Sequence, residues 1–136
     1  MRKGLSILLV VHGLITFAAG VLLSVAPGLI PSAVGIRWDS RSNLVAYLLA
    51  GAEFGFAALS LGGSRLQDPH ALRVIAWSCV VFHAASGALE LLAYAQGARA
   101  AVLANVVARV VICVLFVFFA RRPSKLAEAA PASRMP

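Results

Sequence analysis

Residues 100–122 read AAVLANVVARVVICVLFVFFARR. From Ala100 to Ala120 only Asn105 and Arg109 interrupt an apolar run, and two arginines close it. About 20 apolar residues are what a helix needs to cross the hydrocarbon of a bilayer. The backbone finds no water there and must bond to itself, so this run is predicted to be a transmembrane helix. Three upstream stretches, 5–25, 44–62 and 71–95, read the same way. The expected fold is all-α, an integral membrane protein built as an antiparallel four-transmembrane-helix bundle over residues 1–122. The remaining segment, 123–136, is rich in Ala, Pro and Ser and is expected to be a disordered cytoplasmic tail.

The whole composition agrees with that solvent. Hydrophobic residues make up 61% of the 136-residue chain and charged residues 12%. Soluble domains carry about 25% charged residues, so too little charge remains here to coat a water-facing surface. The formal net charge is +7, but the cations, Arg109 apart, stand at the ends of apolar runs and no Lys/Arg patch is interleaved with aromatics. They read as topology signals and lipid headgroup contacts, not as a nucleic-acid surface. Cys79 and Cys113 lie inside apolar runs and form no C-x-x-C pair, so neither a disulfide framework nor a zinc ribbon is expected.

The first span is basic at its start but too long for a signal-peptide core, which runs 7–15 residues. Its best small-residue site, Ser24-Val25-Ala26, is followed by Pro27, so the span is expected to stay as a membrane helix. The positive-inside rule then sets orientation. With the N-terminus inside, one side receives Arg2, Lys3, Arg65, Arg73, Arg121, Arg122, Lys125 and Arg134, and the other only Arg37, Arg41 and Arg99. The chain is expected in the cell (inner) membrane, multi-pass, with both termini cytoplasmic.

The connections carry further information. Pro27, Gly28 and Pro31 end the first helix, and Leu29–Trp38 is expected to lie along the interface with Trp38 as a headgroup-level anchor. Asp68-Pro69 is a start signal for the third helix. The turn at Gln96-Gly97 makes the last two helices antiparallel neighbours. Val10-Val11-His12 echoes Val80-Val81-Phe82-His83, and Asn43-Leu44-Val45-Ala46 echoes Asn105-Val106-Val107-Ala108. The echoes fit a tandem of two hairpins; the other reading is coincidence among Val/Ala/Leu runs.

Polar groups inside the spans are the sharpest functional signal, because a charge in hydrocarbon costs about 2.5–3.5 kcal/mol on insertion scales. The candidate proton or ligand cluster is His12, Glu53, His83, Glu90, Asn105 and Arg109. Helical spacing gathers them into stripes: His12, Thr16, Gly20 and Ser24; Asn43, Ala46, Ala50, Glu53, Ala57 and Ser60; His83, Gly87, Glu90 and Tyr94; Asn105, Arg109 and Cys113. Each stripe is read as the inward face of its helix. Arg109 is always charged and should hold one glutamate ionised. Glu53 is nearer in depth and Glu90 within reach, so the spacing leaves that choice open.

The function read from this cluster is binding or moving a proton or a small protonatable solute. The alternatives are an accessory or structural subunit of a larger membrane complex, and a membrane enzyme using Glu/His acid–base chemistry on a lipid-soluble substrate. An Arg–Glu pair can equally serve as glue between helices. No cofactor is predicted; the alternative is a b-type haem ligated by His12 and His83, without covalent attachment because no C-x-x-C-H is present. No metal is expected, since neither H-E-x-x-H nor paired Glu-x-x-His appears. Expected partners are membrane lipids, a second copy or a larger membrane complex, and a small molecule, but no nucleic acid. Small multidrug transporters share this length and span count, but they carry their working glutamate in the first span, where this chain has His12, and that family is not assigned.

Overall fold

A computed structural model describes residues 2–121, which form five α-helices and one turn of 3-10 helix. The helices are α1 (Arg2–Val25), α2 (Leu29–Ala33), α3 (Asn43–Gly63), α4 (Pro69–Ala95) and α5 (Val102–Arg121). The four long ones, α1, α3, α4 and α5, are apolar and long enough to cross a membrane, and the protein is a four-span helical membrane protein. The expected tail, with Arg122, Lys125 and Arg134, lies outside the described residues.

Local chemistry sets each boundary. Pro27 disfavours helical geometry in the residue before it, and α1 stops at Val25. The long first connection has local structure of its own. It holds the single-turn α2 and the 3-10 turn at Ser40–Ser42, where Asp39 Oδ1 accepts from the Arg41 and Ser42 amides at 2.9 and 3.1 Å. Trp38 folds back onto Gly28 and donates from Nε1 to Asn43 Oδ1 at 3.0 Å. Half-buried, it packs against Leu23, Ala46 and Ala50, so its ring is a lid on the α1–α3 end. Asp68 caps α4, accepting from the His70 and Ala71 amides at 3.0 and 3.1 Å, with Pro69 at the first helical position. Gly97 turns the chain out of α4 with φ of +102°, a conformation that costs other residues.

The helices pair as two antiparallel hairpins. α1 packs along α3 and α4 along α5, while the seams between hairpins, α3 with α4 and α1 with α5, are narrower. α1 and α4 therefore stand diagonally. Close packing in the first hairpin uses small residues: a Cβ on Gly20 would meet the Phe54 ring at 2.8 Å, and one on Gly13 would meet Leu61 at 2.7 Å.

The interior is layered. At the end where α1 begins and α3 connects to α4, Leu9, Leu72, Ile75, Ala76, Cys79, Phe116 and Ala120 form a buried apolar cluster that joins the hairpins. A second cluster, Leu23, Ala46 and Ala50, lies at the opposite end but belongs to the first hairpin alone. From Ala88 to Gly97 every residue except Glu90 is exposed. Among the described residues, no buried apolar cluster joins the hairpins at that end. The polar residues lie between these layers.

Candidate functional site

One hydrogen-bonded chain runs through all four spans. Ser60 Oγ on α3 bonds His12 Nδ1 on α1 at 2.8 Å. His12 Nε2 meets His83 Nε2 on α4 at 2.8 Å. His83 Nδ1 accepts from Arg109 Nη1 on α5 at 3.2 Å. Arg109 Nε donates to Glu90 Oε1 at 2.9 Å, an ion pair. Asn105 Nδ2 donates to the same oxygen at 2.6 Å. Along α4, Cys79 and Glu90 mark the two ends of this chain, with Ser60 Oγ 4.0 Å from Cys79 Sγ. Eleven residues at 1.5 Å each put those ends about 16 Å apart along the helix axis, over half of a hydrocarbon core of about 30 Å.

The donors fix the tautomers. A guanidinium only donates, so His83 Nδ1 must be an acceptor and His83 a neutral imidazole with its proton on Nε2. That proton points at His12 Nε2, which must then accept. His12 is therefore also neutral, with its proton on Nδ1 directed at Ser60 Oγ. Both nitrogens of an imidazolium donate, so a proton added to either ring has to break a contact in the chain. Each histidine uses Nδ1 within its own hairpin and Nε2 on the other histidine. The contacts, though not their donor directions, correspond on either side of the His12–His83 pair.

Aromatic rings hold this arrangement. Phe116 stands edge-on to His12 and Phe82 edge-on to His83, with centroids 5.2 and 5.1 Å apart. Arg109 Cζ lies 5.7 Å from the Phe82 centroid, within cation–π range. Thr16 Oγ1 bonds back to the His12 carbonyl at 3.0 Å, so its hydroxyl is spent locally.

Five of the six sequence candidates divide into three groups. His12 and His83 are buried and form the centre. Arg109 and Glu90, with side chains 14% and 20% exposed, form the ion pair that spacing alone left open. Glu53 is buried, and Arg109 is close enough to act on its charge, but no described residue hydrogen-bonds it. Glu53 is on α3, diagonal to α5, whereas Glu90 is on the adjacent helix.

Asn105 corrects the reading of α5. It is exposed, and the buried residues of that helix are Val102, Val106, Phe116 and Ala120, so the inward stripe runs beside Asn105. Asn105 reaches Glu90 from the flank. Ser24 and Tyr94 are likewise exposed. Three participants escaped the sequence reading: Ser60 as partner of His12, and Phe82 and Phe116 as ring supports. The first was within reach of a register argument. Gly13 faces Leu61 and Gly20 faces Phe54, and that antiparallel register brings His12 level with Ser60.

The histidines spend their Nε2 atoms on each other. A metal ligated by both would stand about 2 Å from each nitrogen, so the rings would have to separate from 2.8 Å to admit the iron of a haem. Among the described residues no group of three or more His, Cys, Asp or Glu side chains gathers to hold a metal ion. One polar atom stands out: Glu90 Oε2 is buried and has no hydrogen-bond partner among the described residues. Such an oxygen is an open acceptor.

No family model, curated protein or solved structure matches the chain.

Proposed function

We propose that the protein binds and moves a proton, or a small protonatable solute, by proton uptake on the His12–His83 pair, with Arg109 and Glu90 responding to it. The observation that carries this reading is the direct His12–His83 contact closed at one end by Arg109. Arg109 does not release its proton, so the chain is not a through-wire. It is a proton-uptake element: protonating the histidine pair breaks either the contact between the rings or the one to Arg109. Loss of the Arg109 bond leaves the guanidinium to Glu90 and to the nearby Glu53 carboxyl. The apolar layer around Leu9, Cys79 and Phe116 closes one side. The absence of a shared apolar layer among the described residues on the other side favours entry from there.

Reconstituted liposomes test this. Under an imposed pH gradient the protein should move protons, alone or against a small amine, as read by an internal pH dye. Glu53→Gln and His83→Leu should reduce that flux to the level of empty vesicles, and Cys113→Ser should leave it intact. Wild-type vesicles that behave like empty ones, with every gradient and amine tried, reject the proposal. By the excess of Lys and Arg on one side, we place the N- and C-termini in the cytoplasm of a cell-membrane protein; reporter fusions at each connection test that placement.

A second reading is favoured by the lipid-facing side of α3. Gly51, Gly55 and Gly62 have no atom within 4 Å of an added Cβ, which leaves room for another helix to approach closely. In that reading the protein is an accessory subunit or self-associates. Cross-linking in native membranes through cysteines placed at Gly51 and Gly55 distinguishes the two.

A further inference from the structure

Outside the polar chain, a shallow groove of about 590 Å³ runs down the α3–α4 seam, lined by Phe56, His70, Arg73, Val74, Trp77, Ser78, Val81 and Phe82. Seven of these lie on α4 at alternating steps of three and one, a single stripe from its second residue to its middle. From His70 to Phe82 the stripe is about 18 Å long, close to the roughly 15 Å of one leaflet's hydrocarbon. Its chemistry changes with depth in the order a phospholipid requires. Arg73 and His70, both exposed, stand at the connection end, where Asp68 and Pro69 start the helix. Trp77, 40% exposed, comes one turn deeper, the interfacial position of a tryptophan. Apolar Val81 and the stacked pair Phe56–Phe82, centroids 4.1 Å apart, form the foot.

We infer that this groove is a binding site for one anionic phospholipid, with its phosphate on Arg73 and His70 and an acyl chain along Trp77, Val81 and Phe82. Charge complementarity selects the headgroup. The acid next to the mouth among the described residues, Asp68, is engaged by two amides of the α4 N-terminus. The lining itself selects a chain: Ser78 Oγ is turned away to the Val74 carbonyl at 3.0 Å, so every wall below Arg73 is apolar in effect. The foot of the groove is also the floor of the polar chain, because the Phe82 ring that would touch the acyl chain is the ring that His83 and Arg109 contact. The inference does not depend on what the polar chain does.

The test uses the two tryptophans of the protein. In a Trp38→Phe background, Trp77 is the sole reporter, and chain-brominated lipids quench it on contact. The full chain is reconstituted in vesicles containing brominated phosphatidylglycerol or brominated phosphatidylcholine. The anionic lipid should quench at a mole fraction about fivefold lower, the preference one basic side chain supplies at about 1 kcal/mol. Arg73→Gln should remove the preference and Arg73→Lys retain it. Arg65→Gln, outside the groove, should also retain it. Equal quenching by the two lipids overturns the inference. So does an equal loss in Arg65→Gln, which would assign the preference to the basic rim as a whole. Relief of quenching by soluble glycerol phosphate would reassign the site to a free anion and overturn it as well.

Discussion

Replacing Arg109 by Met removes one end of the Glu90 ion pair and one contact to His83, and its consequence can be worked out in advance. Breaking a buried pair by deleting one partner costs about 3–5 kcal/mol, because the remaining charge is left without compensation. Arg109 and Glu90 keep 14% and 20% of their side-chain surface exposed, which brings the expected loss just below that range, to about 2–3 kcal/mol. Glu90→Gln should lose a similar amount, since it strands the guanidinium instead. The double variant Arg109→Met/Glu90→Gln strands neither charge. It gives up hydrogen bonds between helices, which average about 0.6 kcal/mol each in a membrane protein, and should lie within about 1.5 kcal/mol of wild type. The assay is reversible unfolding in mixed micelles of mild detergent and SDS, followed by circular dichroism, for all four members of the cycle. The coupling should be about 2.5–4.5 kcal/mol, with the double variant more stable than either single one. Additivity within about 0.5 kcal/mol, the behaviour of independent sites, would refute the claim that these two side chains neutralise each other inside the bundle.

Other consequences are simpler to state. Nitrogen-15 NMR of the imidazoles at neutral pH should show two neutral rings of opposite tautomer, Nε2–H for His83 and Nδ1–H for His12, and Arg109→Met should release the tautomer of His83; an imidazolium signal or two matching tautomers would contradict the hydrogen-bond directions. Asp68 lies outside the spans, and the His70 and Ala71 amides hold its carboxyl below the usual aspartate range. A lowered folded-state value means stabilisation that is complete above the unfolded pKa of about 3.9 and lost as pH falls through the lower folded value. The melting temperature of wild type should therefore exceed that of Asp68→Ala at pH 6, with the gap closing in strong acid. Gly97→Ala should destabilise by about 1 kcal/mol through backbone conformation alone, because no atom lies within 4 Å of the new Cβ; a larger loss in the same unfolding assay would point to an unseen contact.

Much of the bundle was legible because membrane spans announce themselves by length, and because α3 carries a stripe of small and polar residues among leucines. Ala46, Ala50, Glu53, Ala57 and Ser60 are all buried, as their period requires. α5 was harder for a physical reason. In lipid, the outside of a helix is as apolar as the inside, so valines on two faces give no contrast. The polar residues were then the only guide, and Asn105, four positions before Arg109, drew the predicted stripe off its true line through Val106 and Phe116. The choice between Glu53 and Glu90 was not a question of depth at all. It was decided by which helix neighbours α5, and the short turn at Gln96-Gly97 had already fixed that. The His12–His83 contact needed the diagonal relation of α1 and α4, which no spacing within one helix contains.

The same side chains that form the candidate site also hold the hairpins together, and this constrains how the protein can work. Within each hairpin, small residues and long apolar faces fix one helix on the other. Between hairpins, one end is welded by the Leu9–Phe116 cluster, while among the described residues the other end has no shared apolar layer. The polar chain stands at the boundary between them. Under the proposed uptake, a proton on the histidine pair acts on a seam that is apolar and tight on one side and, among the described residues, has no shared apolar layer on the other. With that uptake, the displacement that leaves the buried leucine and phenylalanine packed is a rocking of one hairpin against the other about the welded end. That is why Arg109 matters more than its charge: it belongs to the second hairpin, and through His83 and His12 it is tied to Ser60 of the first. A lipid seated against Phe82 would press on this same joint from outside, so the leaflet and the proton would bias one equilibrium.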